Sequence, residues 1–168
     1  MSTSYSTSYS TSLTTSVTSS VTTTSGGGGG CVLYNSTILT YNGPKKVSEL
    51  KVGDLLVTFD PASNKTKIVR VTYISKSKVG MIMLINNKIG VTLNDQPLFV
   101  KNSTYTGWVM HPSALRVGWY LYEPIEKKWV KIENISYRYG EFEVYDIVTN
   151  GPNTFIVENV LADANLIK

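Results

Sequence analysis

One cysteine and one histidine supply all the thiol and imidazole chemistry of this 168-residue chain. Cys31 follows directly on a run of five glycines, residues 26–30. A thiol is a strong nucleophile even though only a few per cent of it is thiolate at pH 7. The bland reading of such a residue is a small buried thiol that merely packs. Its place at the head of everything that follows a flexible joint favours the nucleophile. A single Cys beside a single His cannot complete a structural zinc site, and one Cys cannot close an internal disulfide. No metal or cofactor is therefore expected. With no phosphate loop either, nothing supports a conventional multiple-turnover enzyme. His111 precedes Pro112 in the segment that leads into residues 113–121 and reads as a surface or packing histidine.

The elements that must position Cys31 begin at Cys31 itself. Residues 1–30 carry no charge; they are Ser and Thr broken by Tyr5, Tyr9, Leu13, Val17 and Val21, then glycine. That composition cannot bury enough apolar surface to offset its ordering entropy, so residues 1–30 read as a disordered low-complexity tail and Gly linker. Residues 31–168 hold every Lys, Arg, Asp and Glu and are the right size for one domain. The net charge of +4 is spread without a basic run, which speaks against a nucleic-acid partner. The longest apolar run, Met81-Ile82-Met83-Leu84-Ile85, is far short of the roughly 18–20 residues that span a bilayer, so no transmembrane segment is expected. The start has neither the charged nor the apolar region of a signal peptide, which implies another export route or a longer precursor. Four glycosylation-type sequons, at Asn35, Asn64, Asn102 and Asn134, favour a secreted or cell-surface setting.

From Cys31 on, short runs rich in Val, Ile, Thr and Tyr alternate with Asn, Gly, Pro and Asp turns. Strands are expected at 37–41, 55–59, 67–75, 80–85, 89–93, 98–101, 129–135, 143–149 and 154–160, with short helical turns only at 47–50 and 112–115. The fold class is all-β. Ser48-Glu-Leu-Lys-Val-Gly-Asp-Leu-Leu56 matches Ser113-Ala-Leu-Arg-Val-Gly-Trp-Tyr-Leu121 in its Ser, Leu, basic, Val, Gly and final Leu positions. Each copy leads to a strand ending in Ile-Ser. The domain thus reads as a duplicated β unit with pseudo-twofold symmetry.

Several blocks also resemble a known family. Cys31-Val-Leu-Tyr-Asn-Ser-Thr37-Ile-Leu, then Gly43, then Val47, Leu50-Lys-Val-Gly53-Asp54-Leu-Leu-Val, is similar to the opening block of the Hint (hedgehog/intein) domain. Val144-Tyr145-Asp146-Ile147-Val148, Asn153-Thr-Phe-Ile-Val and Val160-Leu161-Ala162 resemble its closing block. The resemblance implies a horseshoe of short strands over 31–168. It also implies that the Cys31 thiol attacks the preceding carbonyl, so that Gly30–Cys31 is the scissile bond. Gly30, lacking a Cβ, would let that carbonyl be approached. The family's Thr-x-x-His-Pro segment falls on Thr92-Leu93-Asn94-Asp95-Gln96-Pro97, which puts Gln96 where a proton-donating histidine stands, with Thr92 one residue off the family's threonine. Glutamine can polarise a peptide by hydrogen bonding but cannot shuttle a proton. Asp146 matches an aspartate that assists proton transfers in splicing members; the alternative is a strand-end carboxylate satisfying backbone donors. Asp54 reads as structural, closing a turn.

At the C-terminal junction the resemblance places Asn153 and Asp163 in two histidine slots and Ala164 in the slot of the cyclising asparagine. Shifting by one residue recruits Asn165, but Ala164 then fills the histidine slot and Leu166 follows where splicing needs Cys, Ser or Thr. Two functions follow as expectations. One is an autoprocessing domain that performs an N–S acyl shift at Gly30–Cys31, giving single-turnover N-terminal autocleavage without protein splicing. Its substrate is its own upstream polypeptide, with an external nucleophile as acceptor. The other is a catalytically degenerate module that keeps the fold for structure or binding on a surface protein.

Overall fold

The structure, a computed structural model, describes residues 31–163. Gly30 and the rest of the tail, like Ala164, Asn165 and Leu166, lie outside the described residues. The described chain is all-β, as expected. Its strands are β1 (Val32–Leu33), β2 (Thr37–Thr40), β3 (Gly43–Lys46), β4 (Leu55–Asp60), β5 (Lys65–Ile85), β6 (Ile89–Val91) and β7 (Leu98–Lys101), followed by β8 (Thr106–Val109), β9 (Tyr120–Glu123), β10 (Lys128–Lys131), β11 (Ile135–Thr149), β12 (Thr154–Val157) and β13 (Val160–Asp163). They pair in the order β10-β9-β7-β13-β12-β2-β4-β5-β11-β1-β6, with β3 on β2 and β8 on β7. The only helical pieces among the described residues are 3-10 turns at Val47–Glu49 and Pro112–Ala114.

The sequence repeat is a structural repeat. In the first copy Leu50 N–H bonds the Val47 carbonyl at 3.2 Å, Gly53 N–H the Val71 carbonyl at 2.8 Å, and Val71 N–H the Asp54 carbonyl at 2.9 Å. In the second, Leu115 bonds Pro112 at 2.9 Å, Gly118 bonds Ile132 at 2.8 Å, and Ile132 bonds Trp119 at 2.7 Å. Gly53 and Gly118 both take φ of +100°, a backbone that side chains disfavour. Val52 and Val117 are exposed to the same extent, 59% and 58%, while Leu50 and Leu115 are buried. Asp54 closes its turn by accepting the Lys51 N–H at 3.0 Å and pairing with Lys45 at 3.1 Å.

Two strands expected as separate pieces, 67–75 and 80–85, are one. β5 pairs with β4 over its first six residues and with β11 thereafter. The polar stretch between the expected pieces stays extended because it pairs with β11, where Lys76 reaches Glu143 and Lys78 reaches Glu141 diagonally, each at 3.7 Å. Conversely, the single strand expected at 154–160 ends at Val157, where the chain turns at Glu158 and Asn159, both at positive φ, into β13, so that β12 and β13 form a hairpin. Phe155–Val157 and Val160–Ala162 are buried on both faces, which explains why these stretches are apolar without alternation. Phe155, Val157, Val160 and Ala162 enter the main core with Ile38, Leu56, Met83, Leu98 and Leu121. Ile156 and Leu161 face a second cluster with Phe59, against which Phe99, Trp108 and Tyr122 pack.

Candidate functional site

Cys31 is half-buried at the head of β1, and that strand is clasped on both sides. Val32 pairs with Tyr145 of β11 and with Val91 of β6, and Leu33 with Val144. Continuing these antiparallel registers by one residue sets Cys31 opposite Asp146 on one flank and Thr92 on the other. Residues so opposed project from one face with Cβ atoms about 4.5–5.5 Å apart. By that extension the side chains of Cys31, Asp146 and Thr92 would share one face of the sheet. On the Thr92 flank the contact is bonded: its N–H donates to the Cys31 carbonyl at 3.2 Å. Its hydroxyl lies 3.5 Å from the same oxygen and 3.1 Å from the Asn94 carbonyl. Asp146 is half-buried and pairs with Ser75 of β5.

Tyr145, next to Asp146, is buried, with its hydroxyl donating to Glu143 Oε1 at 3.1 Å. Burial pushes its phenol well above the ordinary range, and the charge of Glu143 and the hydrogen bond to it push the same way.

Gln96 is 1% exposed. Its Nε2 donates to two main-chain carbonyls, Pro97 and Asp163, each at 3.2 Å, which engages both amide protons. The Asp163 N–H returns a bond to the Pro97 carbonyl at 3.1 Å. Gln96 therefore ties the end of β13 to the entry of β7. The two slots that the resemblance assigns to histidines, at 96 and 163, lie side by side, bridged here by an amide. Asn153, in the third such slot, stands at φ +59° in the turn before β12.

Two contacts had no signal in the sequence. The first is Thr92 on the Cys31 carbonyl. The second concerns His111, which the sequence reading places in a separate segment. Its side chain is half-exposed, yet Nδ1 accepts the Asp95 N–H at 3.0 Å and lies 3.6 Å from the Asp95 carboxylate. Just beyond it, Ser113 N–H donates to the Leu93 carbonyl at 2.9 Å. Residues 111–113 therefore lie along the loop that carries Thr92 and Gln96. A bond between residues 16 positions apart that depends on one left-handed residue, Asp95 at φ +60°, leaves no periodic trace. Among the described residues no group of three His, Cys, Asp or Glu side chains could hold a metal, and no helix is long and apolar enough to cross a membrane.

No protein-family model and no curated protein sequence matches the chain. Solved structures do. A bacterial intein-like domain from Clostridium thermocellum matches with a TM-score of 0.69 at 20% identity, over 80% of this chain and 98% of that one. A DnaB intein from Synechocystis sp. PCC 6803 matches at 0.65 and 18% identity, over 82% and 99%. The gp41-1 intein matches at 0.63 and 26% identity, over 82% and 100%. The all-β architecture, the duplicated half and the near-complete coverage of these neighbours agree: the described residues, 31–163, have the Hint/intein-like fold.

Proposed function

We propose that this domain carries out an N–S acyl shift at Gly30–Cys31 and so cleaves itself from its upstream polypeptide. The Cys31 sulfur attacks the Gly30 carbonyl carbon, and the carbon–nitrogen bond breaks. The thiol proton, by whatever relay, ends on the Cys31 nitrogen, leaving a thioester and a free α-amine. An external nucleophile then takes the acyl group and restores the thiol. What supports this reading is the hold on Cys31: Thr92 donates to its carbonyl at 3.2 Å, and the β1–β11 register, carried one residue past Val32–Tyr145, would set Asp146 on the other flank. Fixing the carbonyl on one side of Cys31 restricts the peptide on the other, and holding a nucleophile near its target can supply several kcal/mol of a barrier. In this reading Asp146 takes the thiol proton.

The degenerate-module reading is favoured by a different observation. The Gln96 amide protons are spent on the Pro97 and Asp163 carbonyls, so the residue in the histidine slot acts as a clamp. Lacking a general acid there costs roughly 10²–10⁴ in rate. Cleavage is accordingly expected over hours to days.

Intact mass of the full chain in hydroxylamine decides between the two. Autoprocessing gives a break between Gly30 and Cys31, abolished by Cys31→Ala and accelerated by Gln96→His. If the wild type and Gln96→His both stay whole, autoprocessing falls and the inert module stands.

A further inference from the structure

His111 is the chain's only histidine, and the activity proposed above assigns it no part. We infer that it is a positioning residue for the Cys31 site, acting through the loop of residues 92–96; the inference rests on the autoprocessing reading. Each end of this loop grips one end of the described chain. Thr92 holds the Cys31 carbonyl at 3.2 Å, and Gln96 holds the Asp163 carbonyl at 3.2 Å. Between them Asp95 sits at φ +60°, a conformation that costs a non-glycine residue free energy and needs surrounding contacts to hold it. His111 Nδ1 is such a contact, accepting the Asp95 N–H at 3.0 Å. The 2.9 Å bond from Ser113 N–H to the Leu93 carbonyl pins the same loop two residues earlier.

The duplication explains why a side chain does this work. In the first repeat Val47 N–H bonds the Ser36 carbonyl at 2.8 Å, anchoring that 3-10 turn to the neighbouring loop. The equivalent position in the second repeat is Pro112, which has no N–H to give. Its anchoring passes to the residues on either side, Ser113 through its backbone and His111 through its ring. The ring can accept at Nδ1 only in the neutral form with its proton on Nε2.

Asparagine offers a carbonyl oxygen close to where Nδ1 stands; alanine offers nothing. In the full chain, His111→Ala is expected to slow hydroxylamine cleavage about ten- to hundredfold, the effect of a small misplacement at a reacting centre. It should also strip the Asp95 amide of protection from hydrogen exchange, and His111→Asn should restore both. Gly53→Ala, which strains the other repeat, controls for general loss of stability and should leave the rate unchanged. Equal rates in wild type and His111→Ala, or an Asp95 amide that stays protected in that variant, overturn the positioning role while leaving autoprocessing intact. A rate lost equally in Gly53→Ala also overturns it. A wild type that never cleaves removes autoprocessing and the positioning role with it.

Discussion

Gln96 and Asp163, 67 residues apart in sequence, are joined by a 3.2 Å bond from the Gln96 amide to the Asp163 main-chain carbonyl. With the second bond to Pro97, this buried amide closes the last strand onto the loop beside Cys31. Gln96→Leu keeps the volume and removes both donors. It should lower unfolding free energy by about 1–3 kcal/mol, the cost of leaving a buried acceptor unpaired, read as a shifted urea midpoint. Gln96→His keeps at least one donor and should lose less. The variant expected to cleave faster is thus also expected to be the less stable one, and finding it more stable than wild type would contradict the clamp.

The two glycines at φ +100° make the duplication testable in energy as well as shape. Neither a Cβ on Gly53 nor one on Gly118 would meet a neighbour within 4 Å, so replacement probes the backbone alone. Gly53→Ala and Gly118→Ala should each cost about 1–3 kcal/mol and should cost alike by chemical denaturation. A penalty confined to one copy would show that the repeats share a sequence but not a strained turn.

What the sequence discloses of this fold is what local chemistry writes into it. β7 falls on the expected 98–101, and both 3-10 turns fall where the repeat puts them. β3 escaped because Gly43-Pro44-Lys45-Lys46 has turn composition; as an edge strand on β2 it tolerates the missing N–H of Pro44. β8 contains Gly107, which weakens its own strand pattern and leaves it dependent on pairing with β7; β9 begins inside the second repeat copy, at Tyr120, and pairs with β10 along its length as well as with β7. No strand was expected there, although β9 stands to the second copy as β4 stands to the first. In the candidate site, Cys31 stands out as the one thiol, directly after the glycine run, whereas Gln96 and Asp146 stand out only through family resemblance. The Thr92–Cys31 and His111–Asp95 bonds join residues 61 and 16 positions apart by geometry that no spacing announces.

At the other junction the side chains decide the outcome. Cyclisation needs an asparagine amide beside the scissile bond, and Ala164 has none. A reporter fused after Lys168 should stay attached in the wild type, in Gln96→His and in Cys31→Ala alike, as seen by intact mass after prolonged incubation. Release that does not depend on Cys31 would mean that the closing block has been placed in the wrong register.

Tyr145 gives the domain an alkaline limit. Its phenol is buried against Glu143 and titrates well above the ordinary value of 10.0. Because the folded value is raised, the contribution to stability is complete below pH 10, where the unfolded chain also keeps its proton. Above that, the unfolded chain loses the proton first, so stability falls as pH rises toward the folded value. The slope from this one group is at most about 1.4 kcal/mol per pH unit. Urea denaturation of the wild type and Tyr145→Phe at pH 8, 10 and 11 isolates it. The difference between the two proteins should be constant from pH 8 to near 10 and should then move in favour of the phenylalanine variant. Parallel curves through pH 11 would mean that the phenol opens to solvent before it ionises, and that the strand clasping Cys31 is looser than its buried tyrosine implies.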